Sequence, residues 1–234
     1  MRAMSVLKPS RRSVLSWLAT ASFASQARAA TDVDLALVLA IDCSLSIDDY
    51  DYRLQLRGTG QAILDSALVQ LIEQGHNKVI AVTAFLWSSP QAQQVIVPWR
   101  VLSSAGGVTA VADEIFAAHR TIPAGATATG DALAFAGHLL ETAPSAVRRV
   151  IDVSTNGHAN MGSPVRPIRD DLIKRGITIN ALAVSDTEPN LVDYMQNEVI
   201  GGPGSFVIEA HNYNAYTLAI RLKLFREISG IITT

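Results

Sequence analysis

Asp42-Cys43-Ser44-Leu45-Ser46 places one carboxylate and two hydroxyls at alternate positions, directly after the apolar run 35–41. In an extended segment, alternate side chains fall on one side. Asp42, Ser44 and Ser46 can therefore converge on a single point. Oxygen-only donors of this kind suit a hard divalent cation. Two later segments offer matching groups. Gly125-Ala126-Thr127-Ala128-Thr129-Gly130-Asp131-Ala132-Leu133 combines small residues, which let backbone approach closely, with the Thr127 hydroxyl. Ser154-Thr155-Asn156-Gly157 closes a second apolar run and adds the Asn156 amide oxygen.

Such loops act together only if strands and helices bring them to one end of a sheet. Strand-like and helix-like stretches alternate along the chain, the pattern of an α/β domain with a mainly parallel sheet. Strands are expected at 34–41, 78–85, 94–102, 149–154, 177–184 and 205–209. Residues 34–41 are almost continuously apolar, as in a strand covered on both faces. The short link through Ser88, Ser89 and Pro90 predicts that 94–102 pairs antiparallel at a sheet edge, and Pro98 suits an edge. Helices are expected at 48–73, 108–119, 130–141, 167–174, 190–199 and 213–228, with Gly75 and Gly176 closing two of them. The fold class is a three-layer α/β/α Rossmann-like domain, mainly parallel with one antiparallel edge strand. In such sheets ligands bind outside the carboxyl ends of the strands, where all three oxygen-bearing loops fall.

Residues 1–29 read as a secretory signal, leaving 30–234 as one domain. The start is basic and free of acids, 14–27 is apolar or small, and Ala27-Arg28-Ala29 offers a cleavage site. Ser10-Arg11-Arg12-Ser13-Val14-Leu15 fits twin-arginine export. The expected location is the periplasm or outside the cell, with no stable membrane insertion, because the apolar stretch is too short to span a bilayer. Arg2, Lys8, Arg11, Arg12 and Arg28 are five of the 19 basic residues, so 14 basic and 21 acidic residues remain beyond the leader, a net charge of about −7. That balance argues against a nucleic-acid partner. Cys43 is the single cysteine, so no internal disulfide can form.

The D-x-S-x-S motif, the G-x-T-x-x-G-D-A-L-like loop and the T-N-G turn resemble, in order, the three parts of the metal-ion-dependent adhesion site of von Willebrand factor A-type domains. The resemblance runs from about residue 32 to 229 and is strongest to an uncharacterised branch of exported bacterial proteins. It implies Ser44, Ser46 and Thr127 as hydroxyl ligands, with Asp42 binding directly or through a water. The cation is expected to be Mg²⁺, with Mn²⁺ or Ca²⁺ as alternatives. The family mechanism is non-enzymatic binding, in which a protein or peptide partner offers a carboxylate to an open coordination position. Asn156 stands where the family commonly has aspartate. The amide keeps an oxygen but removes a negative charge that a hard cation depends on.

Other readings compete. Ser46 could cap the following helix, and Thr127 or Thr129 the helix through Asp131. Asp48, Asp49 and Asp51 fit first-turn acids better than ligands. Cys43 is expected to be a small buried hydrophobe, and His158 a solvent-exposed loop residue. Asp152, an acid within an apolar strand, is expected to pair with Arg or backbone donors. A serine hydrolase using Ser44 is the alternative function, yet no G-x-S-x-G elbow is present and no histidine is placed as base. A metal-free interaction scaffold with a degenerate site is a further alternative. Rossmann-type nucleotide binding lacks its G-x-G-x-x-G.

Overall fold

The first strand, β1 (Val33–Asp42), explains the architecture. Leu35, Leu37, Leu39 and Ile41 belong to one apolar core, while Ala36, Val38 and Ala40 belong to a second on the opposite face. A strand buried on both faces needs a helical layer on each side. The computed structural model describes residues 32–230; the expected leader lies outside the described residues.

After β1 come α1 (Asp49–Ile63), α2 (Ser66–Gln74), β2 (Ile80–Trp87) and β3 (Gln93–Leu102). They are followed by α3 (Ala105–Phe116), α4 (Thr129–Glu141), β4 (Ala146–Thr155) and α5 (Val165–Lys174). The chain continues through β5 (Ile177–Val184), α6 (Leu191–Tyr194) with a π-helical turn Met195–Val199, β6 (Val207–Ala210) and α7 (Tyr216–Ser229). The six strands lie in the order β3-β2-β1-β4-β5-β6. Only the β2–β3 pair is antiparallel, at one edge, as the hairpin reading expects. Helices α1, α2, α3 and α7 supply the core with Leu35 and Leu37, and α4, α5 and α6 the core with Ala36 and Val38. The small residues on that second face let α4 lie close to the central strand. Each fully buried Leu or Ile contributes about 1.5–3 kcal/mol, so β1 alone anchors both layers.

Three expectations need correction. The helix expected over 48–73 is two helices, because Asp65 accepts from the Ala67 amide and starts α2 anew, after α1 has ended at Leu64. Apolar periodicity continues across this break, which hides it in the sequence. The partner of Asp152 is Lys223, with Lys223 Nζ 2.7 Å from Asp152 Oδ1 and both side chains buried. An ammonium reaching from α7 takes the place expected for Arg. The helix expected over 190–199 is a single α-turn that widens into the π turn. Among the described residues, no helix is long and apolar enough to cross a membrane.

Candidate functional site

Parallel register assembles the site. Ile41 pairs with Ser154, so the next residues, Asp42 and Thr155, end β1 and β4 side by side. Thr155 Oγ1 donates to Asp42 Oδ2 at 2.5 Å, and the Ser44 amide donates to Asp42 Oδ1 at 2.7 Å. Both carboxylate oxygens thus hold the first loop in shape. Gln55 of α1 adds a bond from Nε2 to the Asp42 carbonyl at 3.0 Å.

Within this frame Ser44 Oγ lies 3.2 Å from Ser46 Oγ, and Ser46 Oγ donates to Asn156 Oδ1 at 2.7 Å. Asn156 Nδ2 returns a bond to the Ser46 carbonyl at 3.3 Å. The first and third loops are thereby locked together through side chains at the sheet's carboxyl end.

The second loop is tied to both. Leu45 donates its amide to the Gly125 carbonyl at 2.8 Å. Asn160 clamps Thr127 reciprocally: its Oδ1 accepts from the Thr127 amide at 2.9 Å, and its own amide donates to the Thr127 carbonyl at 3.0 Å. A Cβ placed on Gly157 would sit 3.7 Å from Thr127 Oγ1, so that hydroxyl overhangs the third loop. Among the described residues Thr127 Oγ1 has no hydrogen-bond partner, leaving it available to a ligand.

Two capping alternatives fail. Asp48, not Ser46, caps α1, accepting from the Tyr50 and Asp51 amides. Position 128, at the start of α4, makes no side-chain cap bond, and Thr129 Oγ1 is buried without a partner. Asp131 accepts from the amide and hydroxyl of Ser163, so it braces the third loop.

Burial pushes the Asp42 carboxyl up to about 6, against the lowering effect of its bonds from Thr155 and Ser44. A buried carboxylate that resists losing its proton is a place where an added cation is favourable. Ser44, Ser46 and Asn156 present a linked run of oxygens, the Thr127 hydroxyl overhangs the same third loop, and Asp42 stands behind the run as the charge. This set fits a hard cation held by hydroxyls. Among the described residues no three His, Cys, Asp or Glu side chains gather as a metal cluster, so acids alone could not supply the ligands.

Cys43 is fully buried, and burial pushes its thiol up to about 12, which keeps it unreactive at neutral pH. His158 is a correction to the expected exposed residue. Its ring stacks on Tyr194 at 4.3 Å between centroids, and its Nε2 is buried without a partner. Ser44 and Ser46 have no histidine partner among the described residues. Gln55 and Asn160 escape the sequence reading, and Thr155 stands there only as part of the T-N-G turn, with no role of its own. Thr155 could have been flagged as a hydroxyl at a strand end, whereas Gln55 and Asn160 act across the fold and carry no local signature.

A family model described as "Protein of unknown function (DUF1194)" matches residues 32–232. No curated protein matches the chain. Solved structures with a similar fold include a von Willebrand factor type A protein from Catenulispora acidiphila, 19% identical with a TM-score of 0.57, covering 84% of this chain and 43% of that one. The pilus adhesin SpaC from Lactobacillus rhamnosus GG is 14% identical with a TM-score of 0.62, covering 85% of this chain and 31% of the adhesin. Proximal thread matrix protein 1 from the mussel byssus, described with a zinc-occupied MIDAS motif, is 18% identical with a TM-score of 0.56 and coverages of 82% and 48%. The chain thus spans less than half of each of these three structures, and at these identities the likeness concerns the fold.

Proposed function

We propose a function for a chain that belongs to the DUF1194 family and has the von Willebrand factor A-type fold: it is an exported, non-catalytic domain that binds a protein or peptide partner through a divalent cation. The observation that carries this reading is the run of oxygens from Ser44 through Ser46 to Asn156, beside the unpartnered Thr127 hydroxyl. Ser44, Ser46 and Thr127 hold the cation through hydroxyls, Asn156 holds it directly or through Ser46, and Asp42 supplies the compensating charge. When bound, the cation offers a positive charge with a position open to a partner's carboxylate. Leu45, 77% exposed, and Met161, 56% exposed, give apolar contact on the loops that carry the site. Mg²⁺ is the expected ion, with Mn²⁺ and Ca²⁺ as alternatives, all three being cations that take oxygen ligands.

The test is thermal melting of the purified chain in EDTA and with Mg²⁺, Mn²⁺ or Ca²⁺ added. A cation-dependent rise that disappears in Ser44→Ala supports the reading, and identical melts in all conditions defeat it. Labelling by a fluorophosphonate, lost in Ser44→Ala, would instead establish the hydrolase. The pairing of Ser44 with Ser46 rather than with a base argues against that outcome.

A further inference from the structure

Helix α1 carries a second surface that the metal reading leaves unused. A groove of about 860 Å³ runs between α1 and the segment that follows α3. It opens at Asp49 and Tyr50, just beyond the loop that bears Ser46. Its floor is aromatic and aliphatic. Phe116 lies against Gly60 so closely that a Cβ there would come within 2.4 Å of the ring, yet Phe116 stays 42% exposed. Tyr50 is 57% exposed at the mouth. The Arg120 guanidinium covers the Tyr52 ring at 4.7 Å and donates to the Ile47 carbonyl, joining the groove to the first loop.

The rim is cationic, with Arg53, Arg57 and Arg120 against one acid, and two of these arginines are unengaged. Arg53 and Arg57 both border the groove, exposed, and stand four residues apart on α1, where like charges disfavour each other. They are the two arginines that make no side-chain hydrogen bond, ion pair or ring contact among the described residues. By contrast, Arg100, Arg166, Arg169, Arg175 and Arg221 each meet a carboxylate. Two exposed guanidiniums without a carboxylate partner, beside exposed aromatics, give the groove a rim complementary to an anionic occupant. Asp49 is the one acid that lines the groove.

We propose that this groove docks an acidic peptide segment of a partner protein, with aromatic or aliphatic side chains seated against Phe116 and Tyr50 and carboxylates held by Arg53 and Arg57. The binding does not depend on a cation at the loops beyond it. Guanidiniums bind carboxylates in a bidentate fork, and aromatic floors supply most of the energy of such sites. A nucleic acid is disfavoured by the chain's net negative charge.

The test uses fluorescence anisotropy on the purified chain in EDTA, with a short fluorescein-labelled peptide that alternates glutamate with phenylalanine and leucine. Two control peptides carry lysine for glutamate, or serine for the apolar residues. The acidic apolar peptide should bind and both controls should not. The double variant Arg53→Glu/Arg57→Glu should weaken binding by about tenfold or more and let the lysine peptide bind. Arg53→Gln/Arg57→Gln, which keeps helix propensity, should weaken binding by a smaller factor and serves as a second, milder variant. Failure of the acidic peptide to bind, or binding unchanged in both double variants, overturns the proposal. So does a concentration-dependent dimer that either double variant abolishes, because the occupant would then be a second copy of this chain. Since every binding measurement is made in EDTA, its outcome is separate from that of the cation reading.

Discussion

Ser46 Oγ donates to Asn156 Oδ1 at 2.7 Å, closing the first loop onto the third through an uncharged amide. Asn156 is buried, so a carboxylate there would sit with Asp42 in low dielectric and feel any nearby cation strongly. Asn156→Asp should tighten divalent-cation binding about tenfold to a hundredfold by isothermal calorimetry. In EDTA the same variant should melt lower, since it adds a second buried acid and loses the bond from Asn156 Nδ2 to Ser46. Equal cation affinity in the two proteins would remove Asn156 from the binding site.

Asp42 gives the site a pH dependence whose sign can be worked out. Burial raises its folded carboxyl to about 6 from 3.8. The folded state therefore binds the proton more tightly than the unfolded chain. The resulting stability is present below about pH 4 and is lost as pH rises through about 6, a change of roughly 3 kcal/mol. Asp42→Asn should flatten this part of the profile while keeping an acceptor for the Ser44 amide. Urea titrations in EDTA at several pH values should show the variant gaining on wild type toward neutral pH. Glu227, raised by burial and by Asp152, tilts the profile the same way in both proteins and cancels from the difference. Excess Mg²⁺ should restore wild-type stability at neutral pH and leave the variant unmoved.

The legible parts of this protein were those written in local spacing. The unbroken apolar run in 35–41 marks a doubly covered strand, and D-x-S-x-S at its end marks the oxygen cluster, because alternate side chains of an extended segment share one side. The antiparallel edge followed from a short link and Pro98. Asp65 was illegible as a helix start because Leu64, Ala67 and Leu68 continue the apolar rhythm past it. Thr155, Gln55 and Asn160 acquire their roles from register and crossover, which bring residues from distant parts of the chain together. Lys223 was hidden for the same reason. A lysine in an amphipathic closing helix reads as solvated until the strand it faces turns out to carry Asp152.

That lysine is the centre of a buried charge network. Its Nζ lies 2.7 Å from Asp152 and 2.8 Å from Glu227, and Glu227 accepts from Asn180 at 2.9 Å. One ammonium thus serves two buried carboxyls, and burial together with Asp152 pushes the Glu227 carboxyl upward. Lys223→Met should cost about 3–5 kcal/mol, because it strands acids in the interior. Adding Asp152→Asn and Glu227→Gln should recover at least half of that loss. Chemical denaturation of the three proteins measures both steps. If Lys223→Met is as stable as wild type, the network contributes no stability.

Gly130 separates steric placement from helix propensity. It lies in the first turn of α4, three residues beyond Thr127, where alanine would ordinarily stabilise by up to about 1 kcal/mol. Here a Cβ would come within 2.1 Å of the Ser163 carbonyl oxygen, a backbone atom that can move only with its loop. Gly130→Ala should therefore destabilise by about 2 kcal/mol or more and push the Thr127 and Asn156 loops apart. The cation-dependent rise in melting temperature should shrink with it. Gly106 provides the control, since it sits in the first turn of α3 with nothing within 4 Å of a Cβ. Gly106→Ala should be neutral or stabilising by up to about 1 kcal/mol, with the cation response intact. Thermal melts of both variants with and without Mg²⁺ decide the matter. Gains at both positions would mean that helix propensity outweighs the loop contact and that α4 does not position the site.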